Sequence, residues 1–559
     1  MLEPPYDSAP ATILSGENHR GRALLTPLCQ ECSWRVALAR GVPQAYSYMS
    51  NPYDEVPYDG AAQVLSHANR LASMAHLFGL DPAPPDRCRV LDIGCAAGEN
   101  LIPMAESLPG SEFVGFDYSA KEVSNGQAVI AATGLTNVRI MLGDILDPPA
   151  DLGQFDYIVA HGIYSWVPAP VREALLRLCK SSLTMNGVAY ISYNAMPGSL
   201  FKNYVRDMMR FHTREVEAPA ERVRDALEIV RKLAGAVPVG RGPQGALLAF
   251  YTSSLEGRSN QGIYHDELSD TNDAFYFTDF AASAHAAGLQ YLAEPELASM
   301  MVANLPPHLR TVIAERTTSI EEIEQYLDFF RSRYFRRTFL CHEGLKIERR
   351  LEPSVEAFRK FRIASNARVV PEGANPATPG VATFRAETGE AFATDHPVSK
   401  LAFNLLIRAY PSAIPFEQLL ADSLAGCALG AVAAAEHGPI LAASLLAALS
   451  KSDQLLTLTV APDLFTRTPG ERPLAGRYAR YCALQGDLVV TSLRHEMIQL
   501  DGLPVLLLPL LDGTRDRAAL ERDLRAAVAT LAAADTPELL PEDVEEALQF
   551  LADSALLLA

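Results

Sequence analysis

Between residues 89 and 194 short apolar runs alternate with amphipathic stretches at even spacing. The runs are 89–93, 112–116, 138–142, 155–160 and 188–192, each of strand length. Between them, 99–107, 119–133 and 171–182 carry helical periodicity. Strand, helix, strand at this spacing predicts a parallel α/β sheet with right-handed crossovers. A helix is also predicted over 66–79, with Leu71, Met74, Ala75 and Phe78 on one face.

The pattern then changes. Residues 200–234 read as mixed-charge helix, 238–243 as a Gly/Pro-rich break, and 274–291 as an aromatic helical stretch interrupted by Gly288. Runs at 289–293 and 337–342 read as the last two strands of the sheet, so 200–272 is an insertion, which a loop tolerates at small entropic cost. Residues 371–383, rich in Pro, Gly and Ala, read as a linker, followed by helices over 398–409, 416–424 and 441–449. Six segments result: an N-terminal extension (1–50), a core (51–199), an inserted region (200–287), completion of the sheet (288–345), a connector (346–397) and a C-terminal domain (398–559). The linker predicts that the C-terminal domain is separable from whatever the sheet binds.

Composition narrows the class. At 559 residues, 48 % hydrophobic and 21 % charged, the chain suits several globular domains. A net charge of −19 speaks against a nucleic-acid binder, which needs a basic face, although arginines gather at 331–337. It suits a basic partner better. Of the eight cysteines only Cys29 and Cys32 form a CxxC pair, with no second pair to complete a zinc site, so no metal is expected. Met1 to Pro10 lacks the basic and apolar regions of a signal peptide. The alanine-rich stretch 425–450 is interrupted by Glu436-His437-Gly438-Pro439, which predicts a pair of helices rather than a membrane span. A reduced cytoplasmic protein is expected.

The first run ends in Val90-Leu91-Asp92-Ile93-Gly94-Cys95-Ala96-Ala97-Gly98, a strand, a glycine turn and a helix start. Gly94 permits the tight turn, Ala96 a close approach of backbone to ligand, and Gly98 close packing of helix on strand. Such a turn aims helix N-terminal N–H groups at a ligand, so a dinucleotide and S-adenosylmethionine (SAM) both fit. Three acids favour SAM. Asp92 precedes the turn, where it meets the amino-acid end of a cationic ligand. Asp117 closes the next strand about twenty residues after the turn, where ribose hydroxyls need an acceptor. Asp144, with Ile145, follows the third strand, placed for an adenine amino group. Asn100 and Tyr118 complete the cofactor set, with Tyr58 and His67 as parts of a lid ahead of the first strand.

The residues Asp92 to Gly98, Asp117 and Asp144 resemble the signature of class I methyltransferases, whose Rossmann-like sheet has seven strands and an antiparallel last hairpin. Further stretches, including His161-Gly162-Ile163-Tyr164-Ser165-Trp166-Val167-Pro168 and 331–342, look like bacterial enzymes with a methyltransferase regulatory domain, a group that includes the rickettsial protein-lysine methyltransferases. Leu510-Leu511-Asp512-Gly513-Thr514-Arg515-Asp516-Arg517 is similar to the winged-helix-like α+β domain at their C-terminus. Glu99 departs from the glycine frequent after Gly98, and Ala68 from the proline frequent after the Ser/Thr-His pair. The resemblance implies SAM as cofactor and a lysine-bearing protein as methyl acceptor. Methylation of a small-molecule oxygen or nitrogen, or a non-catalytic SAM-binding scaffold, are the alternatives. The acceptor pocket is expected from His161, after the fourth strand, with Tyr164, Trp166 and Tyr193 as aromatic walls, since ring faces attract an amine. His161 also borders the cofactor. Asp147-Pro148-Pro149-Ala150 lies before the fourth strand and lacks an aromatic, so it reads as a turn rather than a base-methylation motif.

Overall fold

A computed structural model describes residues 52–559 apart from 59, 238, 241, 372–377 and 532–539. The extension over 1–50, with Cys29 and Cys32, and the middle of the 371–383 stretch lie outside the described residues.

The central sheet has eight strands: β1 (Arg89–Ile93), β2 (Glu112–Asp117), β3 (Val138–Leu142), β4 (Phe155–Ala160), β5 (Leu183–Ala195), β6 (Ala274–Phe275), β7 (Leu289–Ala293) and β8 (Phe335–His342). Their order is β3-β2-β1-β4-β5-β8-β7, with β6 paired to the end of β5. β1 to β5 run parallel; β8 is antiparallel to both β5 and β7. The chain leaves β1 toward β2 on one side and returns to β4 on the other. The carboxyl ends of β1 and β4 therefore flank a switch point, where ligands bind in open α/β sheets.

Helices cover both faces. On one lie α1 (Pro52–Glu55), α2 (Ala68–Leu77), α3 (Leu101–Ser107) and α4 (Ala120–Thr133), the last three burying Leu71, Leu101, Met104 and Val123 against the sheet. On the other, α5 (Ala169–Ser182) buries Leu175, Leu176 and Cys179 against Leu91, Val114 and Ile158. Each strand has apolar side chains facing both layers, which is why the sequence showed continuous apolar runs rather than alternation.

Three expectations about the sheet change. An eighth strand, β6, occupies the start of the stretch read as helix. The last two strands are antiparallel but form no hairpin, because α-helices at Leu297–Met300, Pro307–Arg316 and Ile320–Arg331 intervene. β5 is far longer than 188–192. Between β5 and β6 the chain is helical, α6 (Ser199–His212), α7 (Pro219–Ala236), α8 (Pro243–Leu255) and α9 (Asn260–Glu267), and builds its own core from Val205, Met209, Val230, Leu248 and Tyr251. It is followed by α10 (Phe277–Ala286).

Residues 346–397 are not merely a connector. A strand at Arg362–Ala364 pairs with Ile414–Pro415 and Thr457–Thr459, and a meander runs through Arg368–Val370, Ala382–Arg385 and Ala391–Thr394. Phe358, Phe361, Ile363 and Phe384 join the same apolar core as α2 and α3. The expected helix break at Glu436 to Pro439 is also absent. Ala434–Leu449 runs through Pro439, and the break falls earlier, at Cys427 to Gly430, where Ala428 takes φ +58°. Pro439 is the sixth residue of that helix, inside it, where its missing N–H removes one i→i−4 hydrogen bond. Residues Ala431–Leu449 have the length and composition to cross a membrane. Here Leu441, Leu445 and Leu449 pack into the core.

Candidate cofactor and acceptor site

After β1 the chain turns at Gly94, whose φ is +70° and whose N–H donates to Phe116 O at 2.8 Å. A Cβ there would be strained by the positive φ and would stand 2.3 Å from Ile163 Cδ1 in the loop after β4, which would have to shift. Ala96 also adopts positive φ, +47°, a strained state for a residue with a Cβ. Its N–H donates to Asp117 Oδ2 at 2.9 Å, which ties the turn to the end of β2. The N–H of Ser119 donates to the other oxygen at 2.8 Å. Gly98 lets α3 seat against Ile140 of β3. Cys95 is buried behind the turn, its thiol pushed well up by burial and by Asp92.

Asp92 is 3 % exposed, and burial raises its pKa to about 7, outweighing the hydrogen bond from Asn100 Nδ2 at 3.3 Å. Burial likewise raises Asp117 against the N–H groups of Ser119 and Ala96. Glu99, on the same turn, is held at about 7 by burial. Three acids held above their usual range around one turn fit a cationic ligand, which would restore their ionised forms. SAM carries such charge at its amino group and sulfonium. Asp144 and Ile145 follow β3, beside β2, and Asp144 Oδ1 accepts the N–H of Leu146 at 2.9 Å. Tyr118 is 65 % exposed just beyond Asp117.

The expected lid divides. The N–H of Tyr58 donates to Glu122 Oε1 at 3.2 Å, and its ring meets His265 of α9 edge-on. His67 is buried: its Nδ1 caps α2 by accepting from Asn69 N, its Nε2 meets Ser107 Oγ at 3.1 Å, and burial pulls its pKa down to about 4. It ties the start of α2 to the C-terminal end of α3. Asn100 lies between, and its carbonyl oxygen accepts from Gln63 N (2.9 Å), Ser66 Oγ (3.2 Å) and His495 Nε2 (2.9 Å). His495 carried no signal in the sequence, because it lies 395 residues from Asn100.

On the acceptor side, His161 follows β4 with Nδ1 2.8 Å from the Tyr190 hydroxyl and its ring near Phe335. Burial, and secondarily Arg337, pulls its pKa down to about 3. Tyr190, Phe335 and Arg337 were missed. They come together only through the pairing of β5 with β8, where Ser192, two residues after Tyr190, meets Arg337. Tyr164 and Tyr193 do not wall this pocket. Tyr164 is packed edge-on against Phe275 and Phe280, and Tyr193 is stacked on Phe280 and bonded to Thr338 Oγ1 at 3.3 Å. The physical reason is α10 and β6, which cover that face of the sheet and claim both rings for the core. Trp166 is half-buried, with Nε1 meeting no hydrogen-bonding group among the described residues. A cleft of about 440 Å³ lined by His67, Arg70, Asp453 and Arg494 includes none of Asp92, Asp117, Asp144 or His161.

Family models match three parts of the chain: a methyltransferase domain over 85–231, a predicted methyltransferase regulatory domain over 259–342, and the PKMT C-terminal winged helix domain over 471–556. Protein RP028 of Rickettsia prowazekii (strain Madrid E) is 32 % identical over 232 residues, 42 % of this chain and 93 % of that one. The chain belongs to the class I SAM-dependent methyltransferases that carry this regulatory domain. Within this methyltransferase family, RP789 of the same organism is 35 % identical over 325 residues, 58 % of this chain; the chain spans 57 % of RP789's length. The structure of PKMT2 from Rickettsia typhi superposes with a TM-score of 0.79 at 25 % identity, covering 90 % of this chain and all of that one. The same protein in complex with AdoHcy gives 0.74. The cofactor of this methyltransferase fold is SAM.

Proposed function

We propose that this chain methylates lysine side chains of a protein, inside the reducing cytoplasm of a bacterium. The observation that carries the reading is the match to PKMT2, which runs through the sheet, the regulatory region and the C-terminal domain rather than the cofactor fold alone. Described cysteines are free thiols, which suits a reducing compartment. The same reading takes 51–199 and 288–345 as one catalytic domain, 200–287 as an insertion with its own core, and 398–559 as the C-terminal domain.

Asp92 would meet the cofactor's amino group, Asp117 its ribose hydroxyls, Asp144 and Ile145 its adenine, and Tyr118 the open side. When bound, SAM supplies an electrophilic methyl group. The chain's own task is to bring a neutral amine roughly 3 Å from it, in line with the bond that breaks. A lysine is protonated at an ordinary pKa of about 10.4, so it must lose a proton first. His161, neutral down to a pH of about 3, can hold the amine through Nε2 but is too weak a base to keep its proton, which passes to water. Trp166 and Phe335 remain as rings that can flank the amine once Tyr164 and Tyr193 are assigned to the core.

The test is incubation of the protein with methyl-labelled SAM and bacterial lysate, followed by mass spectrometry of labelled material. Label on lysine, with a rate that climbs toward alkaline pH, is expected. Label on a small metabolite or a hydroxyl, with lysines untouched, overturns the reading.

A further inference from the structure

The C-terminal domain contributes a hairpin, Val489–Thr491 paired with Met497–Gln499, within the stretch matching the winged helix domain. Its turn is tied by Ser492, whose hydroxyl accepts from the N–H groups of Arg494 and Glu496, while the N–H of His495 donates to Ser492 O at 2.8 Å. His495 is 1 % exposed and adopts φ +65°. An imidazole held buried in the left-handed region costs free energy twice, by strain and by desolvation.

The compensation lies at Asn100. Its Oδ1 accepts the N–H of Gln63 at 2.9 Å and meets His495 Nε2 at 2.9 Å and Ser66 Oγ at 3.2 Å, the Ser66 hydroxyl also reaching Gln63 O at 2.9 Å. The Gln63 N–H can only donate, so flipping the amide would set NH₂ against it and turn the oxygen on Asp92. With Oδ1 on that side, Nδ2 aims at Asp92 Oδ2. Gln63 and Ser66 belong to the segment just before α2, and His495 arrives from the C-terminal domain. Nδ1 of His495 meets no hydrogen-bonding group among the described residues, so the oxygen of Asn100 draws the ring proton to Nε2, and that donor in turn holds the amide.

We infer that this hairpin is a working part of the cofactor site: His495 is a positioning residue that locks the amide of Asn100, and through it the Asp92 carboxylate, in the orientation that receives SAM. The inference rests on SAM occupying the turn at Gly94. It makes cofactor binding conditional on the C-terminal domain being docked.

SAM affinity of the full chain, measured by calorimetry, tests it. His495→Leu keeps the bulk and removes the donor, and should weaken SAM about tenfold, the worth of one buried hydrogen bond. His495→Gln restores an N–H of similar reach and should recover most of the loss. In an Asn100→Ala background, His495→Leu should cost nothing further, because the amide it acts through is gone. His495→Asn tolerates positive φ and is too short to reach, so it gives the same reading if the leucine variant does not fold. Unchanged affinity in the leucine or asparagine variant, no recovery with glutamine, or losses that multiply in the double variant overturns the inference. Failure of the unaltered protein to bind SAM overturns the cofactor reading as well.

Discussion

At Asp117 the carboxylate accepts the backbone N–H groups of Ala96, Ser119 and Tyr118, and the role proposed for it is to accept two ribose hydroxyls as well. Asp117→Ala should weaken SAM by roughly 2–4 kcal/mol, the value of charge-assisted bonds to two hydroxyls. Calorimetry showing wild-type affinity in a folded variant would remove Asp117 from the site. Asp92 carries a different expectation, because burial holds it at about 7. In the unliganded protein the folded state keeps this proton to about pH 7 while the unfolded chain loses it near 4. Asp92 thus makes the fold less stable as pH rises across that window. A cationic ligand favours the ionised carboxylate, so SAM binding below pH 7 should release protons. Affinity should then climb to about pH 7 and level above it. Asp92→Asn should flatten that rise; Glu99→Gln, which removes the neighbouring acid with a similar pKa, should leave part of it. Affinity independent of pH between 5.5 and 7.5 in the unaltered protein would contradict the assignment.

At the scale of elements, Tyr164 shows how a neighbour decides what a residue does. Its ring is wedged among Phe275, Phe280 and Tyr193, 3 % exposed. Tyr164→Ala should cost about 3–5 kcal/mol of stability, as other large-to-small core substitutions do, while Tyr164→Phe should cost about 1 kcal/mol for the hydroxyl's lost bond with Ser283. Thermal unfolding followed by circular dichroism checks both; an alanine variant with unchanged Tm but reduced turnover would return Tyr164 to the acceptor pocket. The strands β1 to β5 and the turn at Gly94 were legible in sequence because their determinants are local: apolar runs, a left-handed glycine, an acid at a strand end. What covers each face of β5, buried on both sides from 187 to 195, was not local. It depends on α10 and β6, some 80 residues on, so Tyr193 was read as a pocket wall and Tyr190, on the opposite face beside His161, went unnoticed. Similarly, Pro and Gly at 371–383 suggested a linker, yet the phenylalanines on either side of it, Phe361 and Phe384, are core.

Across the whole described molecule, α2 and α3 are held by the C-terminal half as well as by the sheet. The side-chain oxygen of Asn69 accepts the N–H groups of Val460 and Ala461, and Ser73 Oγ donates to Leu458 O. Arg70 and Asp453 form a mostly buried ion pair at 3.0 Å. Glu106 of α3 accepts the N–H of Tyr478 at 3.0 Å, capping the helix Arg477–Gln485 with a carboxylate where the helix dipole favours one. With His495 on Asn100, these contacts replace the expected separable domain by one shared core. Severing them leaves buried partners unsatisfied: removing one member of a buried ion pair alone costs about 3–5 kcal/mol. A chain ended after Pro371 is therefore expected to lose SAM affinity and to unfold at markedly lower temperature, with α2 and α3 exposed. In the full chain, calorimetric unfolding should show the methyltransferase sheet and the C-terminal region melting in a single transition that SAM moves upward as a whole. Two resolved transitions, with the SAM shift confined to one of them, would show that the halves fold independently and that the contacts across α2 and α3 are incidental to the cofactor site.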